Sequence, residues 1–221
     1  MVARPAAGGG RWLEIDPERL ARWLAGFDER HAVARTSYEP DLVSFEAADG
    51  ALAECHPPFP PVAHLGDHDG CAVDPLVTHA SERRSVGVLL ARLGGHAVGI
   101  FDGEALVASK VGSRPVHGRS AAGGWSQQRF ARRREGQVTV AGQAAADVAA
   151  RVLVPWLATG GGPVVLGGDR RAVQALRGDP RLAGVFAAAT DRFLTTPDPK
   201  LDVLRAVPRQ FRAVRIRLVE P

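Results

Sequence analysis

Cysteine is scarce: the two in 221 residues, Cys55 and Cys71, cannot make a disulfide framework, which fits a reducing compartment. No apolar run reaches the roughly 18–20 residues needed to span a membrane, so no membrane association is expected. The opening "MVARPAAGGG" lacks the apolar core of a signal peptide and reads as a disordered start over 1–10. The expected location is cytoplasmic. Lysine is nearly missing: of 28 basic residues only Lys110 and Lys200 are lysines, and the rest are arginines. The accompanying excess of alanine, glycine and proline points to a GC-rich coding sequence, so the choice of arginine says little by itself. The net charge of +4 is mild, and placement says more than the total. Arg129, Arg132, Arg133 and Arg134 crowd together with no acidic residue between them, as on a surface that meets phosphate. A hydrophobic content of 45% supports a globular chain with a sizeable core. Internal repeats and heptads are absent.

Along the chain, Asp16 followed by Pro17 starts a helix over about 16–30, with Leu20, Trp23, Leu24 and Phe27 at helical spacing. "AVARTSYEP" and "LVSFEAADGALAE" read as short strands with turns at Glu39-Pro40 and Asp49-Gly50. His56 to Pro75 reads as loop, rich in proline, and a boundary is expected near residue 80. This gives a disordered 1–10, a small α+β portion over 11–80, and a main portion over 81–221. There, "RRSVGVLLARLG", "HAVGIFDG" and "EALVASKVGS" are three strands in succession, turning at Gly94-Gly95 and Asp102-Gly103. Next comes a helix with Ala141, Ala145, Val148, Val152 and Trp156 on one face and Pro155 distorting its end. A buried strand, a Gly167-Gly168 turn and a helix capped by Asp169 follow. "RFLTT" reads as a strand, "PDPKLDVLRAVPRQF" as a helix, and "AVRIRLVE" as a terminal strand. Antiparallel strands followed by alternating helix and strand make an α/β mixed sheet with flanking helices, similar to the ribonuclease H-like fold.

The unusual stretch is "HGRSAAGGWSQQRFARRREGQ", His117 to Gln137. Gly123-Gly124 is a hinge where backbone can approach another backbone closely. "SQQRFARRR" continues as a helix with Ser126 as its cap, and Arg129, Arg132 and Arg133 share a face, flanked by Arg134. Guanidinium forks suit phosphate oxygens, and Trp125 offers a ring for an unpaired base. Lys110, Arg114, His117 and Arg119 add positive or protonatable groups upstream. Two adjacent amides, Gln127 and Gln128, stand beside this run in a chain otherwise short of amides. The polar tip flanked by Gly118, Gly123 and Gly124 is expected to be mobile over 118–128.

The string "GGWSQQRFARRR" resembles the bacterial Vms-like release factors. These are relatives of the eukaryotic ribosome quality-control hydrolase and of the catalytic domain of eukaryotic-type class I peptide-chain release factors. In the latter, a Gly-Gly-Gln loop leads into Arg-Phe-Ala-Arg-x-Arg, matched here by Arg129-Phe130-Ala131-Arg132-Arg133-Arg134. Counted back without gaps, the release-factor glutamine falls on Trp125. The Vms-like form, Gly-Gly followed by Ser-Gln, places the working amide at Gln127, with Gln128 beside it. The resemblance covers residues 84–221, is most specific in this string, and extends toward the N-terminal part. It implies a codon-independent peptidyl-tRNA hydrolase acting in the large ribosomal subunit, with ribosomal RNA and peptidyl-tRNA as partners and no cofactor or metal. The RNA-facing residues would be Lys110, His117, Arg119, Gly123, Gly124, Trp125, Ser126, Arg129, Arg132, Arg133 and Arg134. No separate stop-codon-reading domain fits in 221 residues.

Other readings of the residues remain open. Asp102 and Glu104 are the carboxylates of an ordinary hairpin turn, or those of a nuclease that cuts the 3′ end of peptidyl-tRNA. A non-catalytic RNA-binding module is the third reading. Cys55, His56, His64, His68 and Cys71 have no familiar zinc spacing and read as a loop with scattered histidines. "VVLGGDRR" reads as a helix cap at Asp169 rather than as a phosphate-binding turn after a strand.

Overall fold

The structure, a computed structural model, describes residues 4–114 and 126–221, and for 126–135 it describes the helical backbone alone. The chain divides into two units, residues 1–82 with 209–221, and residues 83–208.

The first unit contains β1 (Arg4–Pro5), β2 (Arg11–Ile15), α1 (Pro17–His31), β3 (Val33–Tyr38), β4 (Val43–Ala47), β5 (Leu52–His56), β6 (Gly66–Asp69) and α2 (Asp74–Ser81). Asp16 is extended and Pro17 occupies the first helical turn, as its fixed φ and missing N–H favour. Leu20, Leu24 and Phe27 are fully buried along one stripe of α1. That stripe and Leu76 and Ala80 of α2 share a core with alternate residues of the sheet, among them Leu13, Val43, Phe45, Ala53 and Cys55.

Three features depart from the sequence reading. Residues 4–10, expected as a disordered start, fold back on β2, with Arg4 opposite Trp12 and Pro5 opposite Arg11. Gly8, Gly9 and Gly10 turn the chain at φ of 81°, 95° and 79°. The expected loop from His56 to Pro75 contains β6 and the start of α2. β6, Gly-Asp-His-Asp, has no hydrophobic alternation to betray it; it pairs with β3, and Asp67 accepts from Arg35 and from the Ser37 hydroxyl at 2.6 Å. α2 is tied to β3 by Tyr38, whose hydroxyl donates to the Ala72 carbonyl at 2.7 Å and accepts from the Leu76 N–H at 3.2 Å. Third, the terminal strand joins this unit and not the other sheet, inserting between β2 and β5.

The second unit contains β7 (Ser85–Arg92), β8 (Gly95–Asp102), β9 (Ala105–Ser113), α3 (Ser126–Ala158), β10 (Val164–Gly168), α4 (Arg170–Leu176), a 3-10 turn at Pro180–Leu182, α5 (Ala183–Ala187), β11 (Ala189–Leu194) and α6 (Leu201–Ala206). α7 (Pro208–Arg212) and β12 (Val214–Val219) return to the first. The helix expected over 197–211 is thus two, because Pro208 has no N–H to continue α6. Val214, Ile216 and Leu218 of β12 are buried, completing a seven-stranded antiparallel sheet ordered β1-β2-β12-β5-β4-β3-β6.

The second sheet is ordered β11-β10-β7-β8-β9. β7, β8 and β9 are antiparallel, and β10 runs parallel to β7 and β11. This is the mixed, ribonuclease H-like arrangement expected. The hairpins turn at Gly94 and Gly103, both at positive φ. Val88, Leu89, Leu90, Ala97 and Val98 are buried in succession, as in a sheet covered on both faces. Leu89, Ala91, Val98 and Ile100 meet α3, α4 and α5.

α3 is one helix of 33 residues, about 50 Å long at 1.5 Å per residue. Gly136 and Gly142 do not interrupt it, and Pro155 lies in its last turn. It is moored by Ala141, Ala145, Ala149 and Leu153, all buried. Its end is set by Trp156, whose indole N–H donates to the Ser85 hydroxyl at 3.2 Å. A Cβ on Gly87 would lie 2.7 Å from that ring and one on Gly161 2.8 Å, so only glycine leaves room for it. Arg181 adds a clasp, donating to Asp179 and, at 2.7 Å, to Asp147 of α3.

Candidate functional site

The site grows from the two elements that flank residues 115–125. β9 is antiparallel to β8, with Ser113 opposite Gly95, and the Arg114 N–H donates to the Gly94 carbonyl at 2.6 Å. Lys110 lies on β9 with its side chain exposed. On the other side α3 begins at Ser126. Of the residues singled out by sequence, His117, Arg119, Gly123, Gly124 and Trp125 lie outside the described residues, as does the part of the 118–128 loop before Ser126. Ser126, Gln127, Gln128, Arg129, Arg132, Arg133 and Arg134 fall in the first turns of α3, where only the backbone is described. The amides and arginines thus belong to one helix with the anchor that begins at Ala141.

No sequence pattern points to His96. It is 4% exposed, and its ring fills the space above Gly112, where a Cβ would come within 2.6 Å of Nε2. Burial, and then the positive charge of Arg114, hold its pKa below the usual histidine range. A neutral histidine thus sits beneath the strand that leads into residues 115–125. Only the strand register, which sets Gly112 opposite His96, reveals the pairing.

Of the acidic pair read as an alternative site, Asp102 is engaged in the turn. Asp102 accepts from Arg83 Nε and Nη2, both at 2.7 Å, and Gly103 takes a positive φ of 62°. The Arg83 hydrogen bonds keep the Asp102 carboxyl below the ordinary carboxylate range. Asp169 caps α4, accepting from the N–H groups of Arg171 at 2.8 Å and Ala172 at 3.0 Å. Gly168, at φ 101°, packs on the Ala91 carbonyl, so the glycine pair serves the strand-to-helix turn.

The cysteines and histidines do not form one cluster. Cys55 is fully buried, and burial pushes its thiol far up; Cys71 is pushed up to about 11, mainly by burial. His56 packs against Trp12, while His64 and His68 stack on each other and meet the Tyr38 ring edge-on. Among the described residues no group of three or more His, Cys, Asp or Glu could hold a metal ion. No helix among them is long and apolar enough to cross a membrane.

The second unit is thus a mixed α/β fold whose long helix begins with paired amides and an arginine run. The chain belongs to a release factor family: residues 84–217 match the model described as Actinobacteria/chloroflexi VLRF1 release factor. No curated protein matches it significantly. Among solved structures it is similar to the crystal structure of archaeal translation termination factor aRF1, with 14% identity, a TM-score of 0.46, and coverage of 90% of this chain and 73% of that one. A structure described as "Archaeal protein" matches with 14% identity and a TM-score of 0.39, over 90% of this chain and 74% of that one.

Proposed function

We propose that the protein is a codon-independent release factor, a cytoplasmic hydrolase that cleaves the peptide–tRNA ester of stalled complexes in the large ribosomal subunit. The observation that carries this reading is "GGWSQQRFARRR" leading into a helix moored in a release-factor-family domain. The peptide–ribose ester is already activated. Water adds to the carbonyl carbon, an oxyanion forms, and the carbon–oxygen bond to ribose breaks as a proton passes to the leaving oxygen. Such a step needs an oriented water and stabilisation of the developing charge more than it needs a strong base. Gln127 suits the orienting of water. Its side-chain carbonyl accepts from water, its amide or backbone N–H donates, and it cannot act as an ordinary base. Gln128 is its neighbour in the same tip. Gly123 and Gly124 keep the backbone bare where it enters a narrow RNA site.

Arg129, Arg132, Arg133 and Arg134, with Lys110, His117 and Arg119, face ribosomal RNA and tRNA phosphates, while Trp125 and Ser126 pack beside the terminal bases. Lys110 is exposed, as that role demands. The engagement of Asp102 by Arg83 supports ester cleavage over a metal-dependent nuclease built on that turn. Ribosome-bound peptidyl-tRNA incubated with the protein tests the assignment. Free peptide and intact tRNA are expected; peptide still carrying a nucleotide tail, or no product at all, overturns it.

A further inference from the structure

We propose that the first unit carries a second RNA-binding groove, along α1, that takes a phosphodiester backbone separately from the arginines at the start of α3. The proposal draws on the release-factor reading only for RNA being at hand. A groove of about 670 Å³ runs between α1 and the sheet edge, walled by Arg11, Arg19, Arg22 and Arg30 and floored by Leu13 and Ile15. The charge is a matter of placement, because this unit is acidic overall. Residues 1–82 and 209–221 hold ten arginines against fifteen aspartates and glutamates, a net charge of −5 with no lysine. Four of those ten arginines line this one groove.

Acidic residues neutralise only one of the four arginines. Glu18, the one carboxylate in the lining, accepts from Arg212 at 2.6 Å. Arg11 pairs with Glu220 at 2.8 Å. Arg19, Arg22 and Arg30 are exposed and have no acceptor among the described residues. From Arg19 to Arg30 the helix rises about 16 Å at 1.5 Å per residue, which suits a row of anionic groups better than one phosphate. Guanidinium forks match phosphate oxygens two at a time.

The helix wall is also built for close approach. Gly26 lies inside α1 and faces the groove, where glycine weakens a helix. Packing does not require it, since an added Cβ would meet only the Arg30 guanidinium, at 3.4 Å. Beside it, Trp23 is half-buried and stacked on Phe27 at 5.8 Å, a rigid apolar shoulder. RNA carries one negative charge at every unit along its length, on the phosphate oxygens that guanidinium forks match, and is the occupant we assign.

The test uses the full chain and a short fluorescent RNA hairpin, with affinity measured between about 50 and 200 mM salt. Changing Arg19, Arg22 and Arg30 together to glutamine removes charge from exposed, unpartnered positions, so the fold should stand, checked by an unchanged unfolding temperature. The slope of log affinity against log salt should fall by about two, at 0.7–0.9 per phosphate contact. The matching lysine variant should keep the slope, and the fall should persist when Arg132 and Arg133 are also alanine. An unchanged slope in the glutamine variant overturns the groove. So does a variant that loses polyglutamate binding while its RNA slope holds, which would make the site one for acidic peptide. A slope that falls only when Arg132 and Arg133 are changed likewise overturns the groove, while leaving the release-factor reading standing.

Discussion

Replacing Gly87 with alanine adds one methyl group where the end of α3 meets the second sheet. The new carbon would lie 2.7 Å from Trp156 Cζ3, 3.1 Å from Leu153 Cδ2 and 3.2 Å from Trp156 Cη2. Leu153 is fully buried, and the indole is held by its bond to Ser85, so neither side can yield without loosening the helix end. Overpacking of this kind costs about 1–3 kcal/mol. At about 2–4 °C per kcal/mol, the unfolding temperature should fall by roughly 2–12 °C in differential scanning calorimetry. The same substitution in a Trp156→Leu background meets only the Leu153 contact and should cost under about 1 kcal/mol. The difference is the coupling expected of residues in direct contact. Equal costs in the two backgrounds would refute the account of Trp156 as the fixed point of α3.

Gln127→Ala should slow peptide release about 10²-fold or more, the scale of one lost transition-state hydrogen bond, with ribosome binding intact and Gln128→Ala much milder; a reversed pattern in a single-turnover release assay moves the working amide by one residue. Changing Arg132 and Arg133 to alanine should weaken ribosome binding and flatten its salt dependence by up to about two log–log units. Stability should fall as pH drops below about 6.5, because the unfolded chain protonates His96 first while the folded state holds it neutral. His96→Gln should remove that increment in denaturant melts at pH 5 and 7, and an identical pH dependence would exclude it. Asp169→Ala should cost about 1 kcal/mol by uncapping α4, measured by the same melts.

Where a residue's neighbours in sequence are also its neighbours in space, the fold is legible. The apolar stripe of α1, the three strands β7 to β9 with their glycine turns, and the Asp169 cap are local patterns, and the structure repeats them. β6 is hidden because its pairing rests on backbone and on Asp67 and not on alternating apolar residues. The partners of β12 are hidden because a strand's own alternation names its buried face but not the strands beside it. In sequence, α3 divides into basic and apolar segments because their compositions differ and Gly136 lies between them, although the helix runs through it. For the candidate site, the string names the residue types, and the hydrogen-bonded fold engages Asp102 elsewhere. His96 stays invisible because its packing against Gly112 is a property of register alone.

A continuous α3 also makes its length a matter of phase. Between Ser126 and Ala141, where the moorings begin, each residue adds 1.5 Å of rise and about 100° of rotation. Deleting one residue there would leave every charge and amide in the chain while swinging the head of the helix more than a quarter turn away from its former bearing. Deleting a full turn would restore the bearing within about 40° and draw the head in by about 6 Å. Composition is therefore not the whole specification of this helix: it works as a geared shaft, on which a missing tooth and a wrong residue are different faults.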